Sequence, residues 1–545
     1  MRPSARTAIL DEVWISSKLT SVIVKSVGLV LVGTLTAGAM ATTASASDGT
    51  VVATDHGLVR GVSAHGVRTF QGIPFAAPPV GGLRWKAPRP APPWRGVREA
   101  SQPASPCPQG ANAEVPNGSV NEDCLYLNVT APATKPRRPL PVVVWLHGGG
   151  FTSGAGSSYD AKRLVTDGDV VVVTVNYRLG VFGDFAYPGL ADGGTFGLLD
   201  QLAALRWVRA NAAAFGGDPR NVTAAGESAG AMSICALLTS PLATGAFDKA
   251  VMESGSCLLN WTKNTWYVGL DGFTPYFSTE DANAFATEAA NLLDCVDPAT
   301  AVGCLRGKSA EELLASPMPF NAPTYGNRLL PVHPADALRA GAFHRMPLLS
   351  GGNRDEGNGA AAVLESTEHL TEPAYQALLV DSFGSDAAKV AARYPSADYQ
   401  SPAAAWGAVA TDRAWACPTL RGNQLLAKRT VTYAFEFADR TAPPLFPAPP
   451  GFPLGAAHGH ELAYLFDLGG NYLLQTPAQE RLSRQMVGYW SNFAHAGTPN
   501  RPALPRWQPA RAGAQYAQSL ESGAGLPGPV DLSARHHCDL WQAIP

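Results

Sequence analysis

Two kinds of hydrophobic pattern follow one another along the chain. Near the beginning, Val51–Thr54, Leu58–Val62 and Val67–Phe70 are short β-prone runs separated by His-Gly pairs, which predicts a small antiparallel meander. From Pro141 onward the runs become unbroken. Val142–Leu146 is apolar at every position and Val170–Val175 at all but Thr174, and both are rich in β-branched residues, as strands covered on both faces require. Val222–Ala225, Ala250–Glu253, Pro347–Ser350 and Val431–Phe437 read as further strands. Helical spacing appears in Asp200–Asn211, and again in Glu480–His495, where Leu482, Met486, Tyr489, Trp490 and Phe493 share one stripe. Strands alternating with helices predict an α/β fold with a large, mainly parallel sheet flanked by helices. No internal repeat or long Ser/Gly linker divides the sequence, so residues 47–545 are expected to form one domain.

Composition narrows this picture. With 46% hydrophobic and 16% charged residues in 545, the chain has the make-up of a folded globular protein. A formal net charge of −3 offers no basic field for a nucleic acid backbone. The first 46 residues stand apart: Arg2, Arg6, Lys18 and Lys25 precede the apolar run Val27–Met40, and Ala44-Ser45-Ala46 follows it. That order is the signature of a secretory leader, and the apolar run is too short to span a bilayer. Secretion is therefore expected, without stable membrane insertion. Eight cysteines suit an oxidising compartment, but their spacing alone does not choose a pairing. There is no C-x-x-C or H-E-x-x-H, and the glycine run His147–Gly150 has neither G-x-G-x-x-G spacing nor the G-K-[ST] of a phosphate loop, so neither a metal nor a cofactor is expected.

Chemistry enters with Gly226-Glu227-Ser228-Ala229-Gly230, a G-x-S-x-G pentapeptide between the strand Val222–Ala225 and an apolar helical stretch. On a sharp strand-to-helix turn such a serine is held in a strained conformation that lifts Oγ into a pocket. The same turn aims the N–H of Ala229 at the place where a tetrahedral intermediate would carry negative charge. His147-Gly148-Gly149-Gly150-Phe151 follows the strand Val142–Leu146, and Gly149 and Gly150 can turn their N–H groups toward the same oxyanion.

From about Gly57 to Trp541 the chain resembles the type-B carboxylesterases, α/β-hydrolases that include carboxylesterases, cholinesterases and non-catalytic adhesion proteins. The resemblance rests on Gln71-Gly72-Ile73-Pro74-Phe75-Ala76, Glu122-Asp123-Cys124-Leu125-Tyr126-Leu127-Asn128, the His147–Phe151 run, Asn176-Tyr177-Arg178, Phe215-Gly216-Gly217-Asp218-Pro219, the Ser228 pentapeptide and Asp355-Glu356-Gly357. It implies a Ser-Glu-His triad of Ser228, Glu356 and His458, with Asp355 as the competing acid and His460 as a structural neighbour. The remaining nine histidines read mostly as surface or turn residues. The resemblance also implies a supporting hydrogen bond to the triad from Ser254, and an Arg84–Glu122 ion pair.

It further implies the disulfides Cys107–Cys124, Cys295–Cys304 and Cys417–Cys538. Cys235 and Cys257 are left over and read as buried thiols, with a mutual disulfide as the alternative. The expected activity is hydrolysis of small carboxylic esters through an acyl-enzyme. The alternatives are a lipase working at interfaces and an adhesion protein, the latter disfavoured because every triad residue is present. The loop Pro108–Asp123 lacks the tryptophan that holds choline in cholinesterases, so neutral short to medium acyl esters are expected over choline esters. Trp261–Phe277 and Pro317–Tyr325 are the candidate pocket linings.

Overall fold

The unbroken apolar runs form doubly covered strands. In the computed structural model, which describes residues 49–523 and 527–544, eleven strands make one sheet. We number them β1 (Val62–Ala64), β2 (Val67–Pro74), β3 (Tyr126–Pro132), β4 (Leu140–Leu146), β5 (Val171–Val175), β6 (Gly217–Glu227), β7 (Lys249–Glu253), β8 (Leu348–Asn353), β9 (Thr432–Phe437), β10 (Tyr516–Leu520) and β11 (Gly528–Asp531). Their order is β11-β10-β9-β8-β7-β6-β4-β5-β3-β2-β1. The seven strands from β10 to β5 in that order run parallel, and β11 at one edge and β3, β2 and β1 at the other are antiparallel. The leader expected over residues 1–46 lies outside the described residues.

The pleat splits each run between two cores. Val142, Val144 and Leu146 of β4 join Val171, Val173 and Val175 of β5 on one side, where the helices Phe196–Asn211 and Ala229–Thr239 pack. Val143 and Trp145 face the other side with Val172, Val251 and Phe435, beneath the helix Pro477–Ala496. All five residues of the expected stripe on that helix are in this second core. Each large side chain so buried contributes about 1.5–3 kcal/mol, which is why these strands are almost wholly apolar; the exception in β5, Thr174, has its hydroxyl accepting from Asn128 Nδ2 at 3.1 Å.

The N-terminal strands pair differently from a simple meander. Val51–Thr54 and Gly57–Arg60 form a hairpin whose third partner is Val97–Glu99, while β1 and β2 join the edge of the large sheet. The break falls at Gly61, where a Cβ would sit 2.3 Å from the Thr69 carbonyl oxygen; the close approach of β2 ends one strand and starts another. All four disulfides are formed, and Cys235–Cys257 is among them, which corrects the reading of those two residues as thiols. Cys235 lies on the helix Ala229–Thr239 and Cys257 in the loop after β7, and packing brings their Cα atoms to 5.5 Å, well within bridging range.

Between β8 and β9 lies a helical region that the hydrophobic pattern did not announce. Pro402–Ala410 runs on through a π-helical segment, Thr411–Ala416, into Cys417–Ala427. Wide turns of this kind tend to mark functional sites.

Candidate active site

Parallel strands deliver their C-terminal ends to one edge of the sheet, and the chain places its chemistry there. β4 ends at Leu146, before His147-Gly148-Gly149-Gly150; β6 ends at Glu227, before Ser228; β8 ends at Asn353, before Asp355-Glu356. Ser228 has φ +52° and ψ −122°, a strained conformation for a residue with a side chain. Its neighbours make the turn possible by having none: a Cβ on Gly226 would lie 2.7 Å from the Leu146 carbonyl oxygen, and one on Gly230 only 2.0 Å from it. The Ser228 N–H donates to the Glu253 carbonyl at 2.9 Å, which ties the turn to β7.

Three of the expected residues meet in one chain of contacts. Ser228 Oγ lies 2.9 Å from His458 Nε2, and His458 Nδ1 lies 2.6 Å from Glu356 Oε2. The other oxygen of Glu356 accepts the Asn353 N–H at 2.7 Å, and Asn353 Nδ2 donates to the Ala457 carbonyl at 2.7 Å, so one asparagine braces both the acid and the loop carrying the histidine. Asp355 is turned elsewhere: it accepts from Arg440 Nε and from the Ala456 N–H, both at 3.0 Å. His460 is fully buried, on the Gly455 carbonyl at 3.0 Å, and burial pushes it down to about 4, so it stays neutral. Arg84 Nε donates to Glu122 at 2.7 Å, the expected pair.

Gly149 and Gly150 have φ +101° and +60°, and Ala229 is the first residue of its helix. None of their three N–H groups is spent on another hydrogen bond among the described residues. Behind them the loop presses on Ser228, since a Cβ on Gly148 would lie 3.1 Å from Ser228 Cβ and 2.4 Å from a Glu227 carboxylate oxygen. Ser254 departs from expectation. Its hydroxyl is buried without a hydrogen bond, and Ser254 is held at φ +53° with its N–H on the Gly351 carbonyl at 2.8 Å.

Two residues of the site went unremarked in the sequence. Glu227 is buried, with Oε1 3.1 Å from His458 Nε2, on the same side as Ser228. Burial works against a charged imidazole, but the carboxylates of Glu227, Glu356 and Glu461 outweigh it and take His458 up to about 9. Burial also raises Glu227 well above the ordinary carboxylate range, and the positive charge of His458 works against that rise. The only signal for Glu227 was its place beside Ser228 in the G-x-S-x-G pentapeptide. The second is Trp415, in the π-helical segment, whose ring centroid lies 4.6 Å from that of His458; no local motif marks it.

Trp415 belongs to an apolar cluster around Ala229 with Phe151, Met232, Leu259 and Trp261, flanked by Trp266 and Phe273. The first candidate lining segment therefore reaches the site. From the second, Phe320 packs on Phe185 in the main core instead. In the first disulfide loop, Glu114 accepts from the Tyr159 hydroxyl at 3.5 Å.

Residues 48–539 match the carboxylesterase family. The chain is similar to a human cocaine esterase, 36% identical over 520 residues and 89% of each chain, and to a mouse acylcarnitine hydrolase, 35% identical over 83% of each. It is also 43% identical over 317 residues to a para-nitrobenzyl esterase of Bacillus subtilis, covering 56% of this chain and 63% of that one. With an α/β-hydrolase sheet, a strained serine at its C-terminal edge and relatives of this kind, the chain belongs to the carboxylesterase family and is a carboxylic ester hydrolase.

Proposed function

We propose that the protein is a secreted serine carboxylesterase, a single catalytic domain from residue 47 onward, acting through Ser228, His458 and Glu356. The observation that carries this reading is the unbroken contact from Ser228 Oγ through both nitrogens of His458 to Glu356, at 2.9 and 2.6 Å. His458 takes the Ser228 proton as Oγ attacks the ester carbonyl carbon, and the carbonyl oxygen becomes an oxyanion facing the N–H groups of Gly149, Gly150 and Ala229. Collapse expels the alcohol, which takes the proton from His458 and leaves an acyl group on Ser228. Water, deprotonated by the same imidazole, then releases the acid. Glu356 holds the ring in the tautomer that leaves Nε2 free to accept, and stabilises the imidazolium. Four disulfides suit an oxidising compartment, and no helix among the described residues is long and apolar enough to cross a membrane.

The substrates we assign are neutral esters with short to medium acyl groups. The loop Pro108–Asp123 offers Glu114 near the site but no aromatic face, and a desolvated cation–π contact is worth about 2 kcal/mol. A panel of p-nitrophenyl esters, with butyrylthiocholine set against a neutral thioester of similar size, tests both parts. Ser228→Ala should abolish turnover in folded protein, and the neutral thioester should be preferred about tenfold or more. Turnover by Ser228→Ala above a few per cent of wild type would refute the nucleophile; a clear preference for the cationic thioester would refute the substrate class.

A further inference from the structure

Behind the catalytic acid lies a second histidine held between two carboxylates. His536 is 3% exposed; Nδ1 lies 2.5 Å from Asp412 Oδ1, and Nε2 contacts Glu436 Oε1. Only an imidazolium can donate from both nitrogens at once, so two carboxylates at opposite ends of the ring require the charged form. Burial opposes that charge, but Asp412 and Glu436 overcome it and push the ring up to about 10. Arg535 pairs with Glu436 from the other side, so two cations face two anions. The Tyr394 hydroxyl donates to the second oxygen of Asp412 at 2.8 Å, and the Trp541 indole donates to that hydroxyl at 2.8 Å. Arg354 and Arg440 contribute longer-range charge toward Glu436.

What this cluster holds is the wall of the active site. Asp412 lies in the π-helical segment Thr411–Ala416. In the same segment Thr411 Oγ1 accepts the N–H of Gly357, the residue after Glu356, at 2.9 Å, and Trp415 packs against His458. Glu436 lies on β9, in register with Gly352 of β8 just before the catalytic-acid loop. A cavity of about 20 Å³, roughly the room one water needs, has both Glu356 and His536 in its lining, together with Trp415 and Glu436. The Cys417–Cys538 disulfide fastens the chain two residues beyond His536 to the end of the same π-helical segment.

We propose that His536 is a positioning residue for hydrolysis: clamped between Asp412 and Glu436, it fixes the π-helical segment that holds Trp415 on His458 and Thr411 on the Glu356 loop, and it balances negative charge behind Glu356. This rests on the triad reading above. Without the cation, the cluster carries one extra negative charge on the Glu356 side, which favours the protonated form of His458. His536→Gln keeps a donor but no charge. It should lower kcat about fivefold or more with KM within about twofold, and move the acid limb of the kcat/KM profile up by roughly half a pH unit. Asp412→Asn combined with His536→Gln removes one charge of each sign, so the limb should return to its wild-type position while kcat stays low.

A folded His536→Gln enzyme with the wild-type limb, or a double variant with wild-type kcat, would overturn the proposal; so would a lower melting temperature with unchanged kinetics. If the single variant does not fold, the double variant alone decides through kcat. The wild-type enzyme and Ser228→Ala, run alongside, keep a failure of the triad reading separate: Ser228-independent turnover would sink that reading, whereas this one is judged on ratios to wild type.

Discussion

At Ser228 the backbone does as much as the side chain. The positive φ there is tolerated because Gly226 and Gly230 let β4 and the following helix close around it, at distances no Cβ would accept. Glu356 and Asp355 are adjacent, and their fates diverge through partners: one faces an imidazole, the other Arg440 and a backbone N–H. Glu356→Gln should therefore cut kcat on the order of a thousandfold, through loss of the imidazolium's counter-charge and of the tautomer lock. Asp355→Asn should cost mainly stability, since it takes the charge from a buried carboxylate that holds the half-exposed Arg440 and the Ala456 N–H. Steady-state kinetics with thermal melts separates the two, and a larger kcat loss in Asp355→Asn would reverse the assignment. Glu227 is the next carboxylate to test. The pKa of His458 is raised, so the basic form appears only as pH rises through it, and kcat/KM should climb along that limb. Glu227→Gln should shift the limb to lower pH, because Glu227 helps raise His458; an unmoved limb would mean that it does not.

The regular pieces of the chain were legible where burial was two-faced or cleanly striped. β4 and β5 came out within two residues of expectation because every side chain is covered, and Pro477–Ala496 because its stripe is real; its start, three residues early, was written in the Thr476-Pro477-Ala478-Gln479 capping box. Phe196–Asn211 was read four residues short because Phe196, Gly197, Leu198, Leu199 and Asp200 are all buried, which erases periodicity. The π-helical segment was not legible, since its distinguishing feature is a hydrogen-bond register and not a spacing of apolar residues. Nor was His536, which stood among histidines expected at the surface or in turns. Its burial depends on Asp412 and Glu436, both far off in sequence. A testable consequence is pH-dependent stability. The folded pKa of His536, about 10, lies above the ordinary value of 6.5, so its contribution is complete below pH 6.5 and is lost as pH rises toward 10. Melting temperature should fall over that range in wild type and fall less in the Asp412→Asn/His536→Gln protein; equal slopes would place the titration elsewhere.

Taken as one body, the molecule follows from a simple requirement: parallel strands buried on both faces leave their C-terminal ends as the place where polar chemistry can be exposed. Motifs in the sequence marked three of those ends, at His147, Ser228 and Glu356. They also marked His458, which reaches the site on the long loop after β9. The fourth disulfide and the tryptophan wall were hidden because they arise from packing between distant segments. The central claim is that Ser228 becomes acylated with help from His458 and Glu356. Its most direct test is intact-protein and peptide mass spectrometry after brief exposure to diethyl p-nitrophenyl phosphate, which phosphorylates an activated serine and releases p-nitrophenol. One diethylphosphoryl group per molecule, located on Ser228, should appear in proportion to lost activity, slowly in Glu356→Gln and not at all in Ser228→Ala. Modification at another residue with activity lost in step, or full activity in protein carrying the group on Ser228, would contradict the account.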